Sequence, residues 1–188
     1  MPNSDNIGRD AILSEDGEHR LLAERRCELS GLSLAYRRTA GWLMCNPSRA
    51  DAEIDDPTVG RVMGHSLRYR CYRQLIGNVW TRRTPYPKDL WKSLKDCPPD
   101  ALECANNSTT LFMIGAQCDL LVVAFGAEPG RRYPDEVRAA LDAFRLAVPD
   151  LSLMCLGTTD DGWPLHPLAR GKHAIPADVK LTEWEWPK

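Results

Sequence analysis

Four short apolar runs most constrain what this chain can fold into. They are Gly41–Cys45 (GWLMC), Leu75–Trp80 (LIGNVW), Leu120–Phe125 (LLVVAF) and Leu151–Leu156 (LSLMCL). None alternates clearly with polar residues, which is the pattern of strands buried on both faces. Segments of helical character lie between them. Asp56-Pro57-Thr58 opens one with an N-cap and a first-turn proline, and it runs to about Tyr72. Lys88–Lys95 is a short one, Asp100–Gly115 ends on a glycine, and Pro134–Val148 carries Val137, Leu141, Phe144 and Val148 at helical spacing. Alternating strands and helices imply right-handed crossovers and a parallel sheet between helices. The expected fold class is therefore α/β: a three-layer α/β/α sandwich around a mainly parallel four-stranded sheet.

The flanks add less. Residues 1–17 are polar and expected to be flexible, which leaves 18–188 as a single α/β domain. Leu21–Cys27 and Leu32–Arg37 flank Ser30-Gly31 and suggest an N-terminal hairpin. After His166 the chain is proline-rich and irregular. With 188 residues and 43% hydrophobic composition, one domain can bury a core without staples. The seven cysteines are odd in number and contain no C-x-x-C pair, so they read as reduced thiols. His19, His65, His166 and His173 are not spaced with them as metal ligands, so neither a metal nor a cofactor is expected. No apolar run approaches the roughly 18 residues that span a bilayer, and no secretory pattern opens the chain, so a cytoplasmic monomer away from membranes is expected.

In a parallel sheet of this kind, ligands bind beyond the carboxyl ends of the strands. The residues there are Asn46-Pro47-Ser48, then Asn78 to Arg83, then Gly126-Ala127, then Gly157 to Leu168. These are the polar and glycine-rich parts of the chain.

The same stretches carry a resemblance. Leu43-Met44-Cys45-Asn46-Pro47-Ser48-Arg49-Ala50-Asp51, Asp55-Asp56-Pro57-Thr58, Asn78, Phe125-Gly126 and Gly162-Trp163-Pro164-Leu165-His166-Pro167-Leu168 stand in order. They resemble a bacterial and phage domain family of unknown function with the pattern L-N-P-S-x-A-D, D-D-P-T and G-x-P-x-H-P-L, over roughly residues 18–170. That family is in turn similar to the uracil-DNA glycosylase superfamily. There, one strand ends in G-x-D-P or G-x-N-P, a second carries a base-reading Asn, a third ends in W-G or F-G, and a fourth precedes H-P-S. Here Asn46 stands in place of Asp, Cys45 precedes it, and Leu168 replaces the Ser.

The resemblance implies a DNA glycosylase acting on a damaged or modified base, with DNA as partner and base flipping as the mode of access. Asn46 and His166 are the candidate catalytic residues. Asn46 would position water, and His166 would hydrogen-bond the departing base. Asn78 would pair with the base edge, since an amide offers both donor and acceptor. Pro47, Ser48, Asp55, Phe125, Gly126, Trp80 and Trp163 are candidate substrate contacts, the aromatics by stacking. Leu165 and Leu168 are candidate wedges into a base stack. Each has a plainer alternative: a chain-turning Asn-Pro-Ser, a strand-end Asn, a structural His, a helix cap at Asp55-Asp56, loop anchoring by the leucines, and core packing by Phe125 and Trp42. Two further functions stay open, a nucleotide or nucleic-acid binding module without catalysis and an enzyme on free nucleosides or nucleotides. Defence against phages with modified DNA is conceivable from the family's setting.

Charge is uneven along the chain. Residues 61–95 hold nine basic residues against Asp89 alone, a net of +8, which leaves −10 for the rest. Arg82 and Arg83 follow the strand bearing Asn78, so they are the candidate phosphate contacts. A solvated basic face is the alternative for Arg61 to Arg73.

Overall fold

The computed structural model describes residues 7–27, 38–48 and 50–187. Among these, seven strands and five α-helices form in the order β1 (Ile7–Leu13), β2 (Arg20–Cys27), β3 (Arg38–Met44), α1 (Pro57–Arg68), β4 (Cys71–Asn78), α2 (Pro87–Asp96), α3 (Ala101–Gly115), β5 (Leu120–Val123), α4 (Ala127–Arg132), α5 (Pro134–Arg145), β6 (Leu153–Cys155) and β7 (Thr182–Glu183). The strands make one mixed sheet in the order β1-β2-β4-β3-β5-β6-β7. β4, β3, β5 and β6 run parallel to one another. They are the four strands expected from the apolar runs.

The sheet has seven strands rather than the expected four, because both edges of that parallel centre are extended antiparallel. β2 pairs with β4 and β1 with β2, while β7 closes the edge of β6. The segment expected to be flexible therefore contributes Ile7–Leu13 as a strand. A hairpin is present, but it joins β1 to β2. The proposed second arm, Leu32–Arg37, lies outside the described residues. The region expected to be irregular after His166 contributes β7.

Alternate residues of the central strands feed two separate clusters. Leu43, Leu121 and Val123 pack with Leu90 of α2, Leu111 and Ile114 of α3, and Val137 and Phe144 of α5. Trp42, Met44 and Val122 pack instead with Val59, Val62 and Met63 of α1. The helices start where their caps allow. The Asp56 carboxylate accepts from the Val59 N–H at 2.9 Å, and that of Asp100 accepts from the Glu103 N–H at 2.8 Å. The Trp42 indole N–H donates to Ser66 Oγ at 2.9 Å, which ties β3 to α1.

The chain between β3 and α1 has little regular structure, and the buried Arg25 makes the most hydrogen bonds to it. Arg25 of β2 is 0% exposed. Its Nε donates to Asp55 Oδ1 at 2.6 Å, its Nη1 to the Asp10 and Glu24 carbonyls, and its Nη2 to the Asp51 and Ile54 carbonyls. The second Asp55 oxygen accepts from Arg9 Nε at 3.1 Å. Breaking a buried pair by removing one partner costs about 3–5 kcal/mol, because the other charge is left buried. Losing a cap costs about 0.5–2 kcal/mol. Asp55→Ala should therefore lower the urea-unfolding free energy well below that of Asp56→Ala. Equal losses would contradict this division of the Asp55-Asp56 pair.

Candidate functional site at the carboxyl edge of the sheet

β4, β3, β5 and β6 are neighbours, so the segments that follow them meet along one edge. Asn46 lies just beyond β3. Its Nδ2 donates to Thr84 Oγ1 at 2.8 Å, to the Thr84 carbonyl at 3.1 Å and to the Pro47 carbonyl at 3.0 Å. These bonds fix the amide orientation and tie the β3 loop to the loop after β4. Asn46 Oδ1 accepts from none of the described residues and is left for a ligand or a water proton.

Asn78 ends β4 opposite Met44 of β3. It is 1% exposed, and neither Oδ1 nor Nδ2 has a hydrogen-bond partner. A buried polar group left unpaired costs about 1–3 kcal/mol, and native structures hold few of them. Its strand position turns it toward the α1 side, as Ile76 and Met44 are.

Gly126 follows β5 with φ +83, a left-handed conformation that side chains disfavour. A Cβ there would lie 3.7 Å from His166 Cβ, so the His166 loop closes against this turn. His166 Nδ1 accepts from the Leu168 N–H at 3.1 Å. Nδ1 is thereby the unprotonated nitrogen, and the neutral ring carries its proton on Nε2. Burial pushes the His166 pKa down to about 4, against the opposing pull of Asp56. At neutral pH the ring is a neutral Nε2–H donor.

Arg20, absent from the sequence-based candidates, belongs to the same edge. It is buried, with Nη1 donating to the Ala50 carbonyl at 2.7 Å and Nε unpartnered. Burial lowers its pKa to about 10, a shift that Asp56 opposes and Arg25 and Arg83 reinforce. It stays cationic at neutral pH. Asp56 thus caps α1 while its field reaches both Arg20 and His166. Nothing in the local sequence Arg20-Leu21-Leu22 marks this role.

Other expected site residues lie elsewhere or are occupied. Both Asp55 oxygens are held by arginines, so Asp55 is a structural anchor rather than a substrate contact. Phe125 packs edge-on against Trp184, Trp163 against Trp186, and Trp80 against Trp91 and Tyr133, all in the cluster on the face opposite α1. None of the three is an exposed stacking platform. Pro47 is buried, and the Ser48 carbonyl accepts from Arg83 Nε at 3.4 Å. Leu165 packs near Gly157, whereas Leu168 is 37% exposed. Cys45, next to Asn46, has its thiol pushed up to about 12 by burial and is a protonated thiol at neutral pH.

Three arginines of the basic segment are engaged within the protein, while Arg68 and Arg70 are exposed. Arg61 donates to the Ile175 carbonyl, Arg73 to both Glu24 oxygens, and Arg83 to the Gly17 carbonyl. Arg82 makes no ion pair with a described residue. Lys88, Lys92 and Lys95 remain exposed along one side of α2. All seven cysteines are free thiols. Among the described residues no helix is long and apolar enough to cross a membrane, and no group of three or more His, Cys, Asp or Glu side chains gathers as a metal site.

Two histidines make stability depend on pH in the mildly acidic range. His65, buried in α1, is also lowered to about 4, by burial first and then by Arg61 and Arg68. In the unfolded chain both rings titrate near the ordinary value of about 6.5. Between those limits the unfolded state binds more protons, so stability falls as pH drops from about 6.5 to 4 and loses nothing more from these groups below that. Urea midpoints at several pH values should show this slope, and His65→Gln with His166→Gln should flatten it. An unchanged slope in the double variant would contradict the assignment.

No curated protein and no solved structure matches the chain. A family model does, described as protein of unknown function (DUF1643), over residues 32–168. That span takes in Asn46, Asn78, Gly126 and His166, and the chain belongs to this family.

Proposed function

We propose that the protein is a DNA glycosylase that hydrolyses the N-glycosidic bond of a damaged or modified base. The observation that carries this reading is the Asn78 amide, buried with both polar atoms unpaired at the carboxyl end of the parallel strands, where ligands bind in sheets of this kind. A base edge offers the complementary donor and acceptor. The packing of helices against both sheet faces supports the three-layer arrangement of the uracil-DNA glycosylase type.

The chemistry follows from the groups present. A flipped nucleotide places its base against Asn78. As the C1′–N bond breaks, its electron pair goes to the base nitrogen. His166 Nε2–H and the Arg20 guanidinium offer donors to that developing negative charge. Water, oriented through Asn46 Oδ1, forms the new C1′–O bond and releases a proton to solvent or to the departing base. Asn46 is no general base, so the step relies on a dissociative transition state. Exposed Leu168 and the Lys88, Lys92 and Lys95 side of α2 are the proposed contacts to DNA.

A second reading, an enzyme on free nucleosides or nucleotides, is favoured by one observation. Arg61, Arg73 and Arg83 are engaged within the protein, which reduces the cationic surface for a duplex.

The test is abasic-site formation under single turnover on DNA carrying uracil, hypoxanthine or 5-hydroxymethyluracil, with the matching free nucleosides as a second arm. Losing one charge-stabilising donor costs about a hundredfold or more in rate. His166→Ala should show that loss with substrate binding little changed, and His166→Asn should recover part of it. Asn78→Leu should weaken binding of the base. Normal cleavage per folded molecule by His166→Ala would overturn the mechanism, and cleavage of nucleosides alone would select the second reading.

A further inference from the structure

The segment after β4 also walls a cavity on the face of the sheet opposite α1. Its volume is about 270 Å³, near the lower end for small-molecule sites. Val79, Trp80 and Leu111 are apolar walls, and Tyr133 stands beside Trp80 with ring centroids 5.4 Å apart. No lysine or arginine lines it, but Glu103 and Glu136 do.

The polar atoms of the cavity are biased toward acceptors. Asn107 of α3 is 8% exposed, and its Nδ2 donates to the Asn78 carbonyl at 3.1 Å and to the Val79 carbonyl at 2.9 Å. Those two bonds fix the amide, since its oxygen could not face two carbonyls. Its Oδ1 is buried and has no partner. Thr81 Oγ1 donates to Glu103 Oε1 at 2.6 Å. His19 Nδ1 lies 2.8 Å from Thr81 Oγ1 and 3.2 Å from Glu103 Oε1, so it is the donor to this pair. Glu103 Oε2 receives no hydrogen bond from a described residue. The cavity thus pairs aromatic and aliphatic walls with two unfilled acceptors and a negative rim.

We propose that this cavity binds a small organic cation, a primary amine on an aromatic or aliphatic body. An ammonium carries three donors and no acceptor, which matches Asn107 Oδ1 and Glu103 Oε2, with Glu136 adding charge at the mouth. The ring walls favour both the apolar body and a nearby cation. A neutral alcohol of the same shape gains the walls but not the charge-assisted bonds. This cavity opens on the face opposite α1, and it meets the carboxyl edge through the Asn107 bond to the Asn78 carbonyl.

The experiment is calorimetric titration of the whole protein with phenethylamine and with 2-phenylethanol. A nine-heavy-atom ligand at about 0.3 kcal/mol per heavy atom should bind saturably with a Kd of about 10 mM or tighter. Loss of charged hydrogen bonds should make 2-phenylethanol weaker by about tenfold, and Glu103→Gln with Glu136→Gln should weaken the amine by a similar factor. Ala139→Trp, placed on the exposed rim, should abolish binding of the amine while the melting temperature stays close to that of the unmodified protein. Equal affinity for amine and alcohol, no effect of the paired glutamate variants, or no saturable amine binding would overturn the proposal.

Discussion

The Arg25 guanidinium is the contact on which the arrangement of the carboxyl edge depends. A buried arginine has five N–H donors and no way to lose its charge, so its site must supply acceptors for all of them. Asp55 and the carbonyls of Asp10, Glu24, Asp51 and Ile54 do so. Three of those acceptors belong to the stretch between β3 and α1, which has almost no regular hydrogen bonding of its own. Fixing that stretch fixes where α1 begins, and so where the Asp56 carboxylate stands relative to Arg20 and His166.

Against this held frame, the carboxyl edge keeps several groups unfilled. The Asn78 amide, Arg20 Nε, Asn46 Oδ1 and His166 Nε2–H each lack a partner among the described residues. Of these, the Asn78 amide and Arg20 Nε are buried, and buried unpaired polar atoms are unfavourable unless a ligand or water completes them. In Asn46 a structural bond and a proposed role in orienting water share one side chain. Its nitrogen staples two loops together, and that bond leaves its oxygen in a defined direction.

The parallel centre was legible in the sequence because strands covered on both faces must be continuously apolar. The helix starts at Pro57, Ala101 and Pro134 were legible because Asp caps and first-turn prolines act locally. β2 was legible as a hairpin arm over Leu21–Cys27, but its pairing with β1 and β4 was not, since Arg25 and Glu24 find their partners far along the chain and β1 lies in a stretch too polar to mark as a strand. α4 carries Pro129 and Gly130 within six residues, and β7 has only two residues, too short for any period. Site residues divided the same way. Asn78 and His166 stood out by position after a strand, whereas Arg20 and Asn107 act through residues distant in sequence. Trp80, Phe125 and Trp163 matched a stacking role by residue type, but their type equally suits the core, where they lie. Asp55 and Arg83 were chemically apt, yet their charges are used inside the protein.

We propose that the carboxyl edge holds a nucleobase and that the protein releases it by hydrolysis. The most direct measurement is mass spectrometry of free bases released from a panel of single-stranded and duplex DNA bearing natural, deaminated and phage-type modified bases. Release of one base class with an abasic site left in the strand is expected, with that release lost per folded molecule in Asn46→Ala. No release from any DNA or free nucleoside, or full release by Asn46→Ala, would contradict it.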